Sequence, residues 1–83
     1  MPGAVVLLNV EAGMEGEVVQ RVCALEGVEK AYLVYGVYDV AVIVASETME
    51  GLEALLMQKV RSLPGVRNTM TLLISRDCSA VRR

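Results

Sequence analysis

Histidine, tryptophan and phenylalanine are absent from the chain, and proline occurs only twice in 83 residues. Without histidine the protein lacks the commonest general base at neutral pH and the commonest metal ligand. The two cysteines, Cys23 and Cys78, form neither a CxxC pair nor a zinc-ligand spacing. Cys23 falls within a helical apolar pattern and reads as a buried core thiol, and Cys78 as a thiol of a polar tail, both reduced as in a cytoplasmic protein. Basic residues are also few. Eight Lys and Arg face ten Asp and Glu, and the only adjacent basic pair is Arg82-Arg83. A nucleic-acid surface needs a basic footprint to release phosphate counterions, so no direct nucleic-acid partner is expected. P-loop, GxGxxG, GxSxG and HExxH patterns are all missing, so neither an enzyme nor a cofactor is expected. No apolar run approaches a membrane span, and Met1-Pro2-Gly3 lacks a basic leader, so no membrane partner is expected and the location is read as cytoplasmic.

What is abundant is apolar surface. Hydrophobic residues make up 54% of the chain. One small domain buries a modest fraction of its surface, and this excess predicts an apolar face shared with another copy.

Taken in order, Ala4 to Val10 reads as a first strand, apolar on both faces except at Asn9. Met14 to Glu26 reads as a helix with Val18, Val22 and Leu25 on one stripe, stopped by Gly27. Val28 to Tyr35 and Tyr38 to Ala45 read as two strands joined by a turn at Gly36. The interior Val40 to Val44 carries no polar residue, the pattern of a strand buried on both sides. Ser46 or Thr48 caps a second helix from Met49 to Leu63, whose stripe is Leu52, Leu55, Leu56, Val60 and Leu63 and whose stop is Pro64-Gly65. Val66 to Ser75 is the fourth strand, with Thr69, Thr71 and Leu73 on one face and Met70, Leu72 and Ile74 on the other.

The halves repeat faintly. Met14-Glu15-Gly16 returns as Met49-Glu50-Gly51, an offset of 35, while Gly27-Val28 returns as Gly65-Val66, an offset of 38. The order β-α-β-β-α-β, built from two such halves, predicts an α+β ferredoxin-like domain. It has a four-stranded antiparallel sheet, two helices on one face, and the other face in a dimer interface. The domain is expected over residues 1–75, with a polar tail over 76–83.

Polar chemistry on the strands is confined to a few positions. Gly36 leaves backbone open to close approach, Asp39 offers a carboxylate for an ammonium group, and Thr69 and Thr71 offer hydroxyls. Such a set suits a zwitterion. Each residue also has an ordinary structural use: a turn glycine, an aspartate bonding backbone N–H groups, good strand formers. Both readings stand open. The three tyrosines, Tyr32, Tyr35 and Tyr38, flank the turn and read as sheet or interface packing. Met14, Met49, Met57 and Met70 read as core or interface filler.

Gly36-Val37-Tyr38-Asp39 between two apolar strands, Leu63-Pro64-Gly65-Val66 after a helix, and Val66-Arg67-Asn68-Thr69-Met70-Thr71 before a last apolar run resemble the effector-binding (RAM) domain of the Lrp/AsnC regulators. The resemblance runs from about Ala4 to Ser75. It implies a domain that dimerises through its sheets, with dimers assembling further, as in octamers, and with a free amino acid bound in clefts between dimers. It makes Gly36, Tyr38, Asp39, Thr69 and Thr71 the ligand-site candidates. Family members of full length add an N-terminal helix-turn-helix domain, and the first strand here starts at Ala4. The chain therefore reads as a stand-alone effector module, with a full-length Lrp/AsnC regulator as an expected partner. The alternatives are a small cofactor-free enzyme of the dimeric α+β barrel type and a purely structural assembly domain.

Overall fold

In a computed structural model, which describes residues 1–76, four strands form one antiparallel sheet in the order β2-β3-β1-β4. The elements are β1 (Gly3–Val10), α1 (Glu15–Cys23), β2 (Val28–Leu33), β3 (Val40–Ala45), α2 (Met49–Ala54, continued by a π-helical segment, Leu55–Val60) and β4 (Val66–Leu73). Each half is a split β-α-β unit whose two parallel strands are separated by a strand of the other half. This is the ferredoxin-like βαββαβ fold that the pattern predicts.

Register explains the core. Leu8, Val6 and Ala4 of β1 stand opposite Val40, Val42 and Val44 of β3, and all six are buried. They meet Val18 and Val22 of α1 and Leu52, Leu55, Leu56 and Val60 of the second helix. The alternate residues of the same strands, Val5 and Leu7 on β1 and Ala41 and Ile43 on β3, are only partly covered. The apolar β3 therefore has one buried face and one half-covered face within a single chain.

The connections differ from the sequence reading in definite ways. β2 stops at Leu33 and β3 starts at Val40, so Val34, Tyr35, Tyr38 and Asp39 lie outside the strands. The Val34 N–H donates to the Asp39 carbonyl at 2.9 Å and closes the loop around Tyr35–Tyr38. Gly36 has φ +141°, a conformation that side-chain-bearing residues rarely adopt, and a Cβ there would touch nothing. Its requirement for glycine is conformational rather than steric. Gly65 is held more tightly, with φ +94° and a Cβ position about 3 Å from Met14 and Val18. Its carbonyl accepts from the Glu11 N–H at 2.8 Å, tying the end of β1 to the start of β4.

Both helices are shorter than read. α1 ends at Cys23, and the thiol is exposed rather than buried. At about 100° per residue, Cys23 sits some 140° around the helix from Val18 and so leaves the buried stripe. The second helix is α-helical only to Ala54. Beyond it the Arg61 N–H donates to the Leu56 carbonyl at 3.1 Å, an i→i−5 bond. Thr48 is its N-cap, with the hydroxyl accepting from the Gly51 N–H at 2.9 Å. Met49, Met57 and Met70 are about half exposed and are not core filler. Cys78 and nearly all of the expected tail lie outside the described residues. Among the described residues no helix is long and apolar enough to cross a membrane.

Candidate functional site

Asp39 is tied into the fold through its backbone and one carboxylate oxygen. Its N–H donates to the Leu8 carbonyl at 2.9 Å, and its carboxylate Oδ2 accepts from the Val10 N–H at 2.8 Å. Val10 is where the β1–β4 register shifts. The Leu8 carbonyl bonds toward β3, so the Val10 N–H two residues on faces the same side; β3 begins at Val40 opposite Leu8, and the Asp39 carboxylate supplies the acceptor that the strand does not reach. The residue thus clamps the loop to the end of β1. It also borders a recess of about 330 Å³ with Glu15, Leu33, Val34 and Tyr35. Tyr35 is fully exposed, Gly36 is exposed and Tyr38 is partly covered.

Thr69 and Thr71 lie elsewhere. They pair with Leu8 and Val6 across β1, on the helix side of the sheet. Since Leu8 also pairs with Val40, the threonine end of β4 and the Asp39 end of β3 share one end of the sheet, with β1 between them. Two strand spacings put them about 10 Å apart. The five sequence candidates therefore divide within one protomer. Asp39 borders one recess, whose lining includes neither Gly36 nor Tyr38, and Thr69 and Thr71 line another, a groove of about 300 Å³ between β4 and the second helix.

The opposite wall of that groove is a stripe at four-residue spacing: Met49, Glu53, Met57 and Arg61. Residues four apart share a helix face. Sequence reasoning passed over this stripe because Glu53 and Arg61 look like ordinary wet-face charges and Met57 like filler. The signal was the regular alternation of methionine and charge beside the buried leucines. Arg61 extends past the groove into an adjoining polar recess with Arg67, Asn68 and Thr69. A larger opening, about 530 Å³, lies at the other end of the sheet, near Glu26, Ser46 and Glu47, and contains none of the sequence candidates. Among the described residues no cluster of His, Cys, Asp or Glu is arranged to hold a metal.

Residues 3–80 match the family model described as the Lrp/AsnC ligand binding domain. The chain belongs to this family. The Lrp/AsnC match makes it a regulatory ligand-binding module rather than a member of an enzyme family. No curated protein sequence gives a significant match. Among solved structures, FFRP-DM1 is 35% identical, with a TM-score of 0.86 over 89% of this chain and 99% of that one. TTHA0845 from Thermus thermophilus is 31% identical, with a TM-score of 0.87 over 93% and 96%. A larger protein, the transcriptional regulator NMB0573 of Neisseria meningitidis solved as its L-Met complex, shares the fold at 14% identity. Its TM-score is 0.80, over 92% of this chain and 51% of the regulator.

Proposed function

We propose that the protein is an oligomeric, non-enzymatic sensor of a free amino acid. The match of residues 3–80 to a regulator ligand-binding domain carries this reading, and the L-Met complex of NMB0573 illustrates the ligand class on the same fold. Oligomerisation is supported by the sheet face away from the helices. There Val5, Leu7, Ala41, Ile43, Met70 and Leu72 form a continuous apolar surface, with Met70 46% and Leu72 49% exposed. A face of this kind is stable in water when a second copy covers it.

In this reading the ligand site uses Gly36, Tyr38, Asp39, Thr69 and Thr71. The loop and the threonines lie in different recesses of one protomer, so a cleft that uses both draws them from neighbouring copies. The loaded assembly acts on a partner regulator of the same family. A thermal-shift screen with the twenty amino acids tests the core of this. A ligand at about 100 times its Kd stabilises by roughly 2.7 kcal/mol, and each kcal/mol moves the Tm of so small a domain by about 4–8 °C. A shift with none of the twenty overturns it. Co-elution with a full-length Lrp/AsnC regulator on gel filtration tests the partner; unchanged peaks for both proteins count against it.

A further inference from the structure

We infer that the polar recess at the free edge of β4, lined by Arg61 and Arg67, binds the phosphate group of a small phosphate monoester. The site is separate from the amino-acid cleft proposed above. Neither arginine belongs to that cleft, and Thr69 takes part here through its backbone N–H, which leaves its hydroxyl to the other role.

Charge is the first argument. Arg61, Val66, Arg67, Asn68 and Thr69 line the recess, which holds about 360 Å³, within the roughly 300–1,000 Å³ of small-molecule sites. Its two charged residues are both arginines, in a chain whose net charge is −2. Carboxylates stand on the adjoining segments: Glu53 across the neighbouring groove, and Glu11, whose N–H is tied to Gly65. Neither neutralises these arginines, since the ion pair among the described residues is Arg21–Glu17. Two like charges on one recess repel, and a doubly charged anion between them turns the repulsion into attraction. A carboxylate has one charge and two oxygens, enough for one guanidinium fork. A phosphate monoester carries nearly two charges and three terminal oxygens, enough for two forks.

Backbone is the second argument. Asn9 pairs with Asn68 and Val10 with Val66, so Arg67 is an extra residue in β4. Bulges of this kind re-aim side chains. Strict alternation would put Val66 on the face opposite Thr69. The bulge instead returns Val66 to the core side, where it packs against the buried cluster, and leaves Arg67 at the edge. Arg61 comes to the same recess from the end of the π-helical segment, where its N–H closes the last turn. Its Nη1 donates to Sδ of Met57 at 3.3 Å, a weak acceptor, so the guanidinium keeps its capacity for an oxyanion.

The remaining lining supplies donors. β4 is an outer strand of the sheet. The Ile74 N–H points to β1, donating to the Gly3 carbonyl at 2.9 Å. Direction alternates along a strand, so the Thr69 N–H points outward, where no further strand takes it. Asn68 Oδ1 accepts from Asn9 Nδ2 at 2.9 Å, which leaves the Asn68 amide N–H groups to donate. Guanidinium, backbone N–H and amide complement an oxyanion and repel a cation.

The test is NMR titration of the intact protein, at fixed ionic strength, with inorganic phosphate, ribose 5-phosphate, AMP and acetate. Phosphate and at least one ester are expected to shift the Thr69 N–H, the Asn68 amide and the Arg61 and Arg67 Nε–H signals saturably. Acetate is expected to bind about tenfold more weakly or worse. Arg61→Gln and Arg67→Gln are each expected to weaken phosphate about tenfold or more, the loss of one charge-assisted contact. Arg67→Lys keeps the charge without the fork and is expected to fall between wild type and Arg67→Gln. Arg21→Gln removes the same charge elsewhere and is expected to leave phosphate binding unchanged. A tighter fit of ribose 5-phosphate than of phosphate points to a sugar phosphate, and a still tighter fit of AMP to a nucleotide; both support the site. Phosphate bound while both esters are excluded overturns the monoester. Equal binding of acetate and phosphate, or equal weakening by Arg21→Gln and Arg67→Gln, reduces the effect to diffuse charge and overturns the site. Arg61 and Arg67 are exposed, so the variants are expected to fold, which circular dichroism verifies.

Discussion

Asp39 shows how one side chain determines a local architecture. Its carboxylate accepts the Val10 N–H, which faces the β3 side of β1 beyond the point where β3 begins. Asp39→Ala leaves that partly buried N–H without an acceptor and is expected to destabilise by about 1–3 kcal/mol. Asp39→Asn retains an oxygen acceptor and is expected to cost less. An Asp39→Ala protein that melts at the wild-type temperature would remove the clamp from the account. Retained amino-acid binding by the same variant would confine Asp39 to its structural bond. The two loop glycines make a second comparison. Gly36→Ala meets only the conformational penalty of positive φ, about 1–2 kcal/mol. Gly65→Ala meets that penalty and also crowds Met14 and Val18. Thermal or chemical denaturation is expected to rank Gly65→Ala as the more damaging, and the reverse order would contradict the packing described. Sequence marked Gly36 and Gly65 as turn positions from their place between apolar runs. It left Asp39 between two roles, because its bonding partner lies 29 residues away along the chain.

At the scale of the element, the second helix carries the most information. Its start was legible. Thr48 occupies a cap position before Met49, and its hydroxyl takes up the Gly51 N–H. Thr48→Ala is expected to cost about 1 kcal/mol, read as a fall in denaturation midpoint at unchanged m-value. Its buried stripe was legible too, since Leu52, Leu55, Leu56 and Val60 follow the helical period and all four are buried. Leu52→Ala is expected to cost about 2–5 kcal/mol, a large part of the roughly 5–15 kcal/mol that holds a domain together. The π-helical segment was not legible as such. Its trace was the repeat offset, which grows from 35 at the helix starts to 38 at the glycine stops. Correspondingly the second helical segment has six α-helical and six π-helical residues against nine in α1. Apolar periodicity does not separate a short π turn from an α turn, because over a few residues both keep the same side chains on the core.

For the molecule as a whole, the dominant fact is a sheet with helices on one face only. The apolar composition predicted an uncovered surface, and the register places it at Val5, Leu7, Ile43, Met70 and Leu72. If a second copy covers this face, Leu72→Glu is expected to lower the molar mass measured by light scattering after gel filtration while leaving the circular dichroism spectrum intact. It is also expected to abolish any rise of Tm with protein concentration. An unchanged mass would move the interface elsewhere. The exposed tip at Tyr35 and Val37 is a separate projection, formed because the loop closes at Val34–Asp39 and leaves its apolar residues outside the sheet.

The sequence by itself determined the order of the elements, the glycine turns, a cap at Ser46 or Thr48, the buried stripes and the family motifs. These are local properties: a period of two or 3.6 residues, a preferred φ, a hydroxyl three residues from a free N–H. Tertiary structure alone decided that Asp39 binds the backbone of β1 and that Cys23 faces water. It alone put Thr69 and Thr71 with Glu53 and Arg61 rather than with the loop. Those outcomes depend on which strands pair and in what register, and on how far around its axis a helix ends. A one-residue change in either moves a side chain to another surface without altering the local pattern that encodes it.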